Sequence, residues 1–256
     1  MPPNCIVTGG PRGIGRATAI LAARAGWSVT IAGLREHWGD ALEVVQEVER
    51  DGGKAFAVAC DVTVEQDIVG MFDDSERRLG RISGLVNAAG MPHACPVDEF
   101  KFDEISRLMA VNVVGLLICC REAARRMSTA RGGQGGAIVN ISSLAVTIGG
   151  RPGAAAYAAS KAAVDVFTSG FAREVAPVGI RVNTIRPGAI ATAMTANLAV
   201  DPELCRKVEA SIPLGRIGRP EEIGELAVWL LSDRASLVTG AHINAGGGGF
   251  NIQASA

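Results

Sequence analysis

Residues 4–25 read NCIVTGGPRGIGRATAILAARA. An apolar run of strand length, Asn4 to Val7, passes into Thr8-Gly9-Gly10-Pro11-Arg12-Gly13-Ile14-Gly15, and helical periodicity begins at once over Arg16 to Ala25. Strand, glycine turn and helix follow one another without a spacer. Such a turn needs residues that tolerate φ > 0 and a backbone that a ligand can approach closely. The helix start behind it offers unpaired N–H groups and the positive end of a dipole. The arrangement favours a dinucleotide pyrophosphate site over a tight loop that binds nothing, although the spacing is not the G-x-G-x-x-G fingerprint.

Outward from this junction, short Val- and Ile-rich runs alternate with segments of helical period. Strands are expected at Asn4 to Val7, Ser28 to Ala32, Ala55 to Ala59, Gly84 to Val86, Ala137 to Ile141, Arg181 to Ile185 and Ala241 to Asn244. Helices are expected near 13–25, 40–51, 64–79, 100–130 with a break near Asn112, 155–177 and 220–232. This pattern predicts an α/β fold: one doubly wound Rossmann-type domain spanning 1–256, with a seven-stranded parallel sheet and helices on both faces. No stretch reads as an interdomain linker, and no internal repeat is visible.

Twenty-five basic against 26 acidic residues leave a formal net charge of -1, so no positive excess is available for a phosphate backbone or an anionic membrane. Nucleic acid and membrane partners are not expected. The absence of a signal-like start or a long apolar run predicts a cytoplasmic protein. The six cysteines form no C-x-x-C pair and the three histidines show no ligand spacing, so reduced thiols and no metal are expected. Trp27, Trp38 and Trp229 are read as packing residues.

The end of the second strand reports on the dinucleotide, because a carboxylate there would bond the ribose hydroxyls of NAD and repel a 2′-phosphate. Ile31-Ala32-Gly33-Leu34-Arg35 carries none. Arg12 and Arg35 offer fork-shaped donors to a 2′-phosphate, which puts NADP ahead of NAD, while Glu36 keeps the NAD alternative open.

At the carboxyl end of the fifth strand stand Ser142 and Ser143, and the next helix carries Tyr157-Ala158-Ala159-Ser160-Lys161. Positions i and i+4 share a helix face, which sets the Lys161 ammonium near the only tyrosine of the chain. An adjacent cation favours the phenolate, and lowering a phenol pKa by about three units takes roughly 4 kcal/mol. The pair then donates and accepts a proton near working pH.

TGGPRGIG at 8–15, Asp61 in CDVT, Asn87 to Gly90 as NAAG, Asn112, Ser142/Ser143, YAASK at 157–161 and Arg186-Pro187-Gly188 together resemble the short-chain dehydrogenase/reductase family, in order and along nearly the whole chain. The resemblance implies that Asn112, Ser143, Tyr157 and Lys161 carry catalysis. Tyr157 is then the acid/base, Lys161 holds the nicotinamide ribose, a serine polarises the carbonyl and Asn112 anchors a proton-relay water. It further implies that Asp61 contacts the adenine and that Asn87 to Gly90 steadies the sheet beside the ribose. The rest of the cofactor contact would come from Gly9, Gly13, Ile14, Gly15, Val62, Ala88, Pro187, Gly188, Ile190 and Thr192. Ser143 stands fourteen residues before Tyr157, one more than in most relatives. Strand alternation sends the two serines to opposite faces; Ser143 is preferred and Ser142 stays open.

The resemblance implies an oxidoreductase acting on CH–OH/C=O of a small substrate, with 192–212 as a mobile, variable wall. Met194, Leu198, Val200, Leu204 and Ile212 suggest an apolar pocket there. Reduction of a 3-oxoacyl carrier-protein thioester, oxidation of a sugar at C1 and non-catalytic dinucleotide binding remain alternatives. A homotetramer or dimer is expected, through the helices bearing Asn112 and Tyr157 and the chain end Ala241 to Phe250.

Overall fold

A computed structural model describes residues 2–249, so Phe250 of the expected oligomer contact lies outside the described residues. Seven strands form one parallel sheet: β1 (Asn4–Thr8), β2 (Ser28–Gly33), β3 (Lys54–Ala59), β4 (Ile82–Asn87), β5 (Gly136–Ile141), β6 (Ile180–Pro187) and β7 (His242–Ala245). Their order is β3-β2-β1-β4-β5-β6-β7, and every pairing is parallel. The helices are α1 (Gly13–Arg24), α2 (Trp38–Arg50), α3 (Glu65–Leu79), α4 (Phe102–Met109), α5 (Leu116–Met127), α6 (Ala145–Ile148), α7 (Ala155–Val175), α8 (Asn197–Val200), α9 (Pro202–Ala210) and α10 (Pro220–Leu231).

The pleat divides each strand between two cores. Cys5 and Val7 of β1, with Val139 and Ile141 of β5, pack under α1, α2 and α10, where Ala19, Val44, Ile223 and Leu230 are buried. Ile6 and Ile138, one residue out of phase, face α3, α5 and α7 through Phe72, Met71, Cys119 and Val164. Burial on both faces is why these strands read as continuous apolar runs rather than alternating ones. The sheet and its two helical layers are those expected, with strand ends shifted by one or two residues.

The break near Asn112 is a π-helical turn, Ala110–Gly115, between α4 and α5. Gly115 is needed there: a Cβ would come within 2.5 Å of the Val62 carbonyl oxygen. The short α6, α8 and α9 were not anticipated. Trp27 and Trp229 pack against the first core, but Trp38 is 40% exposed at the start of α2 and is not a core residue. The six thiols are free. No described helix is long and apolar enough to cross a membrane.

Glu122 on α5 is 3% exposed and is clamped by Arg121, Arg125 and Arg126, the last reaching across to Asp73 and Glu76 of α3. Burial pushes its carboxyl up, but hydrogen bonds from Arg126 and Arg121 outweigh this and hold it below the ordinary value of 4.5. A depressed folded pKa contributes stability that is present above the unfolded value and lost as pH falls through the folded one. Glu122→Ala is therefore expected to cost about 3 kcal/mol at neutral pH by removing the buried carboxylate that Arg121, Arg125 and Arg126 share. The loss should shrink toward about pH 3. Urea denaturation at both pH values checks this, and an unchanged midpoint at neutral pH would contradict it.

Candidate active site

The strand order reverses between β1 and β4, and at that switch point the carboxyl ends of the strands open into a cleft of about 820 Å³. It runs from Gly33 at the end of β2, with Leu34 and His37 beyond it, past the glycine turn, to Ser143 and Tyr157 beyond β5.

At the dinucleotide end, Gly9 (φ 65°) and Gly13 (φ 52°) take the left-handed backbone that the turn requires. Arg12 precedes α1 in extended conformation without a side-chain cap, and the first turn holds no acidic residue. The N–H groups of Gly13, Ile14 and Gly15 thus have no intrahelical acceptor and line the cleft. This fits a pyrophosphate, which would supply the missing acceptors and meet the positive end of the helix dipole. Thr192 sits against the same turn: a Cβ on Gly13 would lie 3.2 Å from its methyl group.

Asp61, Val62, Ala88, Gly90, Pro187, Gly188 and Ile190 also border the cleft. Asp61 Oδ1 is occupied by the N–H and hydroxyl of Thr63 (2.9 and 2.7 Å). Asn87 lies below the cleft floor, where its amide donates to Asn140 Oδ1 at 2.9 Å and Asn140 donates to Thr168 Oγ1 at 2.9 Å, joining β4, β5 and α7.

The arginines expected at a 2′-phosphate are not brought together. Arg12 lines the cleft, but its Nε is ion-paired with Asp40 of α2. Arg35 opens the 3-10 turn Arg35–His37, and the residue this turn carries to the cleft is His37. Neither Glu36 nor Asp40 lines it. His37 Nδ1 is buried without a hydrogen-bond partner. Nothing in the local sequence marks His37, because its access depends on how a single 3-10 turn leaves the strand.

At the reacting end, the pleat separates the serines. Ser142 is buried and donates to the Lys161 carbonyl oxygen at 3.3 Å, whereas the Ser143 hydroxyl meets the Tyr157 hydroxyl and its oxygen accepts from the Ala145 N–H at 3.1 Å. Lys161 is 5% exposed and donates from Nζ to the Ile141 carbonyl at 2.9 Å. Burial lowers its pKa to about 8, with the Asp165 carboxylate acting against the fall. Burial also pushes the Tyr157 phenol up, and the Ser143 hydrogen bond opposes this. The lowered phenol expected from a nearby lysine is therefore not present in the protein by itself, because desolvation is the larger effect.

Asn112 is 1% exposed and both N–H donors of its amide are used. Oδ1 accepts from the Met91 N–H (2.8 Å), while Nδ2 donates to the Met91 carbonyl (3.0 Å) and to Ser160 Oγ (3.1 Å). Gly90 joins the two groups, since a Cβ there would stand 3.4 Å from both Asn112 Oδ1 and Lys161 Nζ. Met91, Pro92 and Arg107 line the cleft and were not singled out in the sequence. Within 192–212, Met194 lines it, but Leu198, Val200, Leu204 and Ile212 do not; Ile212 is buried and Val200 is 81% exposed.

A family model described as "Enoyl-(Acyl carrier protein) reductase" matches residues 9–250. The chain is 43% identical over 244 residues to "Uncharacterized oxidoreductase YgfF" of Escherichia coli K12, covering 95% of this chain and 98% of that one. It is 37% identical to "Cyclopentanol dehydrogenase" of Comamonas testosteroni, with 95% of each chain covered. A solved "7 alpha-hydroxysteroid dehydrogenase complexed with NADH and 7-oxo glycochenodeoxycholic acid" superposes with a TM-score of 0.89 at 33% identity, over 96% of this chain and 95% of that one. With its parallel sheet, its glycine turn and its cleft at the switch point, the chain belongs to the short-chain dehydrogenase/reductase family and is an NAD(P)-dependent oxidoreductase acting on CH–OH/C=O.

Proposed function

We propose that the protein transfers a hydride between NADP(H) and the carbonyl or secondary alcohol of a small, largely apolar substrate, with Tyr157 as acid/base. The observation that carries this reading is the paired hydroxyls of Ser143 and Tyr157, in one cleft with buried Lys161 one helical turn on and with the uncapped start of α1.

The bound nicotinamide supplies the hydride that reaches the carbonyl carbon. Ser143, whose oxygen is already held by the Ala145 N–H, turns its proton to the substrate oxygen. The Tyr157 hydroxyl, kept protonated by burial, delivers a proton to that same oxygen, so the C=O becomes CH–OH. The Lys161 ammonium stabilises the phenolate left on Tyr157. A water relay past Asn112 would need its main chain or the second lone pair of Oδ1, because both Nδ2 hydrogens are used. In the oxidising direction the same steps run backwards, with Tyr157 accepting the alcohol proton.

Met91, Pro92 and Met194 support an apolar substrate, and relatives named for cyclopentanol and for hydroxysteroids favour a ring alcohol or ketone. Residues 192–212 are proposed as the substrate-side wall, and a homotetramer or dimer as the working assembly. A panel of cyclic ketones, 3-oxoacyl thioesters and sugars assayed with both reduced cofactors tests the reading. Cofactor binding without turnover of any carbonyl would leave a non-catalytic dinucleotide protein.

NADP is favoured by the lack of an acid at the end of β2 and by Arg12 at the cleft. Each charge-assisted contact to a 2′-phosphate is worth about 1.5 to 3 kcal/mol, so kcat/KM should favour NADPH over NADH by at least about tenfold. Arg12→Ala with Arg35→Ala should erase that gap, and Arg12, which lines the cleft and meets Asp40 through Nε, should account for most of it. A parent enzyme that prefers NADH would overturn the NADP reading and turn attention to Glu36 as the ribose partner.

A further inference from the structure

The end of the cleft beyond β2 holds a titratable ring whose nitrogens are both unused. His37 lines the cleft where the 3-10 turn Arg35–His37 leaves the strand. Its Nδ1 is buried without a hydrogen-bond partner and stands 3.9 Å from Asp40 Oδ2, the oxygen that also takes Arg12 Nε. Its Nε2 bonds no described residue and lies 3.6 Å from Oε1 of Glu36, a mostly exposed side chain. A neutral imidazole offers one donor and one acceptor, whereas an imidazolium offers two donors. One carboxylate, Asp40, therefore holds two potential cations, Arg12 and His37, on the wall of the same cleft.

We propose that His37 is a specificity-determining residue for the dinucleotide: as an imidazolium it joins Arg12 in binding the 2′-phosphate, so NADP(H) binding takes up a proton and the choice between NADP and NAD shifts with pH. The inference rests on the reading that the protein uses NADP(H). The charged groups around the ring are Arg35 and Glu36 on its own turn, Asp40 on α2 and Arg12 before α1, with Asp61 after β3 on the same cleft. Cys60, also on the cleft, is kept neutral by burial, which pushes its thiol up to about 12. Two arginines thus stand against three carboxylates, and a phosphate dianion entering this end needs a further cation. The imidazole is the only group there that can become one near neutral pH. The proton comes from solvent, and no other bond is made or broken. His37 acts only together with Arg12, since without the arginine Asp40 would claim the imidazolium for itself.

The test reads binding and protons rather than turnover. NADP⁺ and NAD⁺ are titrated calorimetrically into the protein at about pH 7.5 in buffers of different ionisation enthalpy, where a phosphate monoester is already a dianion and carries no proton of its own to release. NADP⁺ should bind with uptake of about half a proton more than NAD⁺. The nicotinamide ends of the two cofactors are identical, so any proton moved at Lys161 or Tyr157 cancels between the titrations. The ratio Kd(NAD⁺)/Kd(NADP⁺) should rise at least about threefold from about pH 8.5 to about pH 6.5. His37→Gln, which cannot charge, should abolish the extra uptake and flatten the ratio. His37→Arg, a permanent cation, should give no extra uptake and keep the ratio high at both pH values; if His37→Gln does not fold, this variant and the parental titration carry the test. Equal proton exchange for the two cofactors in the parent, a ratio that does not change with pH, or an uptake that survives in His37→Gln would overturn the proposal. A parent that favours NADP⁺ equally at every pH overturns only this inference. One that favours NAD⁺ throughout overturns the NADP reading, and the uptake measured with NADP⁺ still decides the role of His37.

Discussion

Tyr157→Phe is expected to lower kcat by about 10²- to 10⁴-fold while the dissociation constant for the dinucleotide changes by less than about twofold. The substitution removes one oxygen and keeps the ring, so the packing of α7 against the cleft is preserved. What disappears is the group that delivers a proton to the substrate oxygen, together with the hydrogen bond that links it to Ser143. Hydride transfer to a carbonyl without concurrent protonation leaves an alkoxide in a half-buried site, which is the costly species that general acid catalysis avoids. Single-turnover kinetics of the variant with a saturating ketone, alongside a fluorescence titration of the cofactor, measure both quantities. Retention of more than a tenth of parental kcat would remove Tyr157 from the acid/base role.

Gly15→Ala is the second large effect, and it acts on binding. A Cβ at Gly15 would stand 2.1 Å from the carbonyl oxygen of Gly9 and 2.6 Å from its carbonyl carbon. Both are backbone atoms of the same glycine turn, so no side-chain rotation relieves the clash, and the turn must open away from α1. Opening it would move the N–H groups of Gly13 and Ile14 and so weaken the pyrophosphate site proposed at the start of α1. Affinity for NADPH and NADH should fall together by at least about a hundredfold, or about 2.7 kcal/mol. Gly70→Ala on α3, whose added Cβ meets nothing within 4 Å, is the matched control and should bind both cofactors as the parent does. Circular dichroism verifies that each variant is folded. Binding of Gly15→Ala within about threefold of the parent would show that the turn yields without cost.

The elements most legible in the sequence were those whose cause is local. A βα junction with glycines is specified by backbone sterics within eight residues. The strands of a parallel sheet announce themselves as Val- and Ile-rich runs, because both of their faces are buried. The break at Asn112 was foreseen, but its form as a π-helical turn was not, since it depends on Gly115 fitting beneath the Val62 carbonyl, fifty-odd residues away. Helix α9 escaped notice although its start is well marked: Asp201 accepts from the N–H groups of Glu203 and Leu204, and Pro202 is the first helical residue. That signal lies within 192–212, which the family resemblance marks only as a mobile, variable wall.

The sequence by itself determined the layer architecture, the order of the elements, the dinucleotide junction and the two residues, Tyr157 and Lys161, that helix geometry sets one turn apart. These follow from interactions a few residues long, repeated at fixed periods. Only the tertiary structure decided which serine meets Tyr157, that Arg12 is claimed by Asp40, that Arg35 stays out of the cleft while His37 enters it, and that Lys161 shares its helix with a carboxylate anchored from β6. The physical reason is that the direction of a long side chain, and the desolvation of a charge, are set by neighbours from distant strands and helices. Those neighbours come together only when the sheet has closed its two helical layers around them.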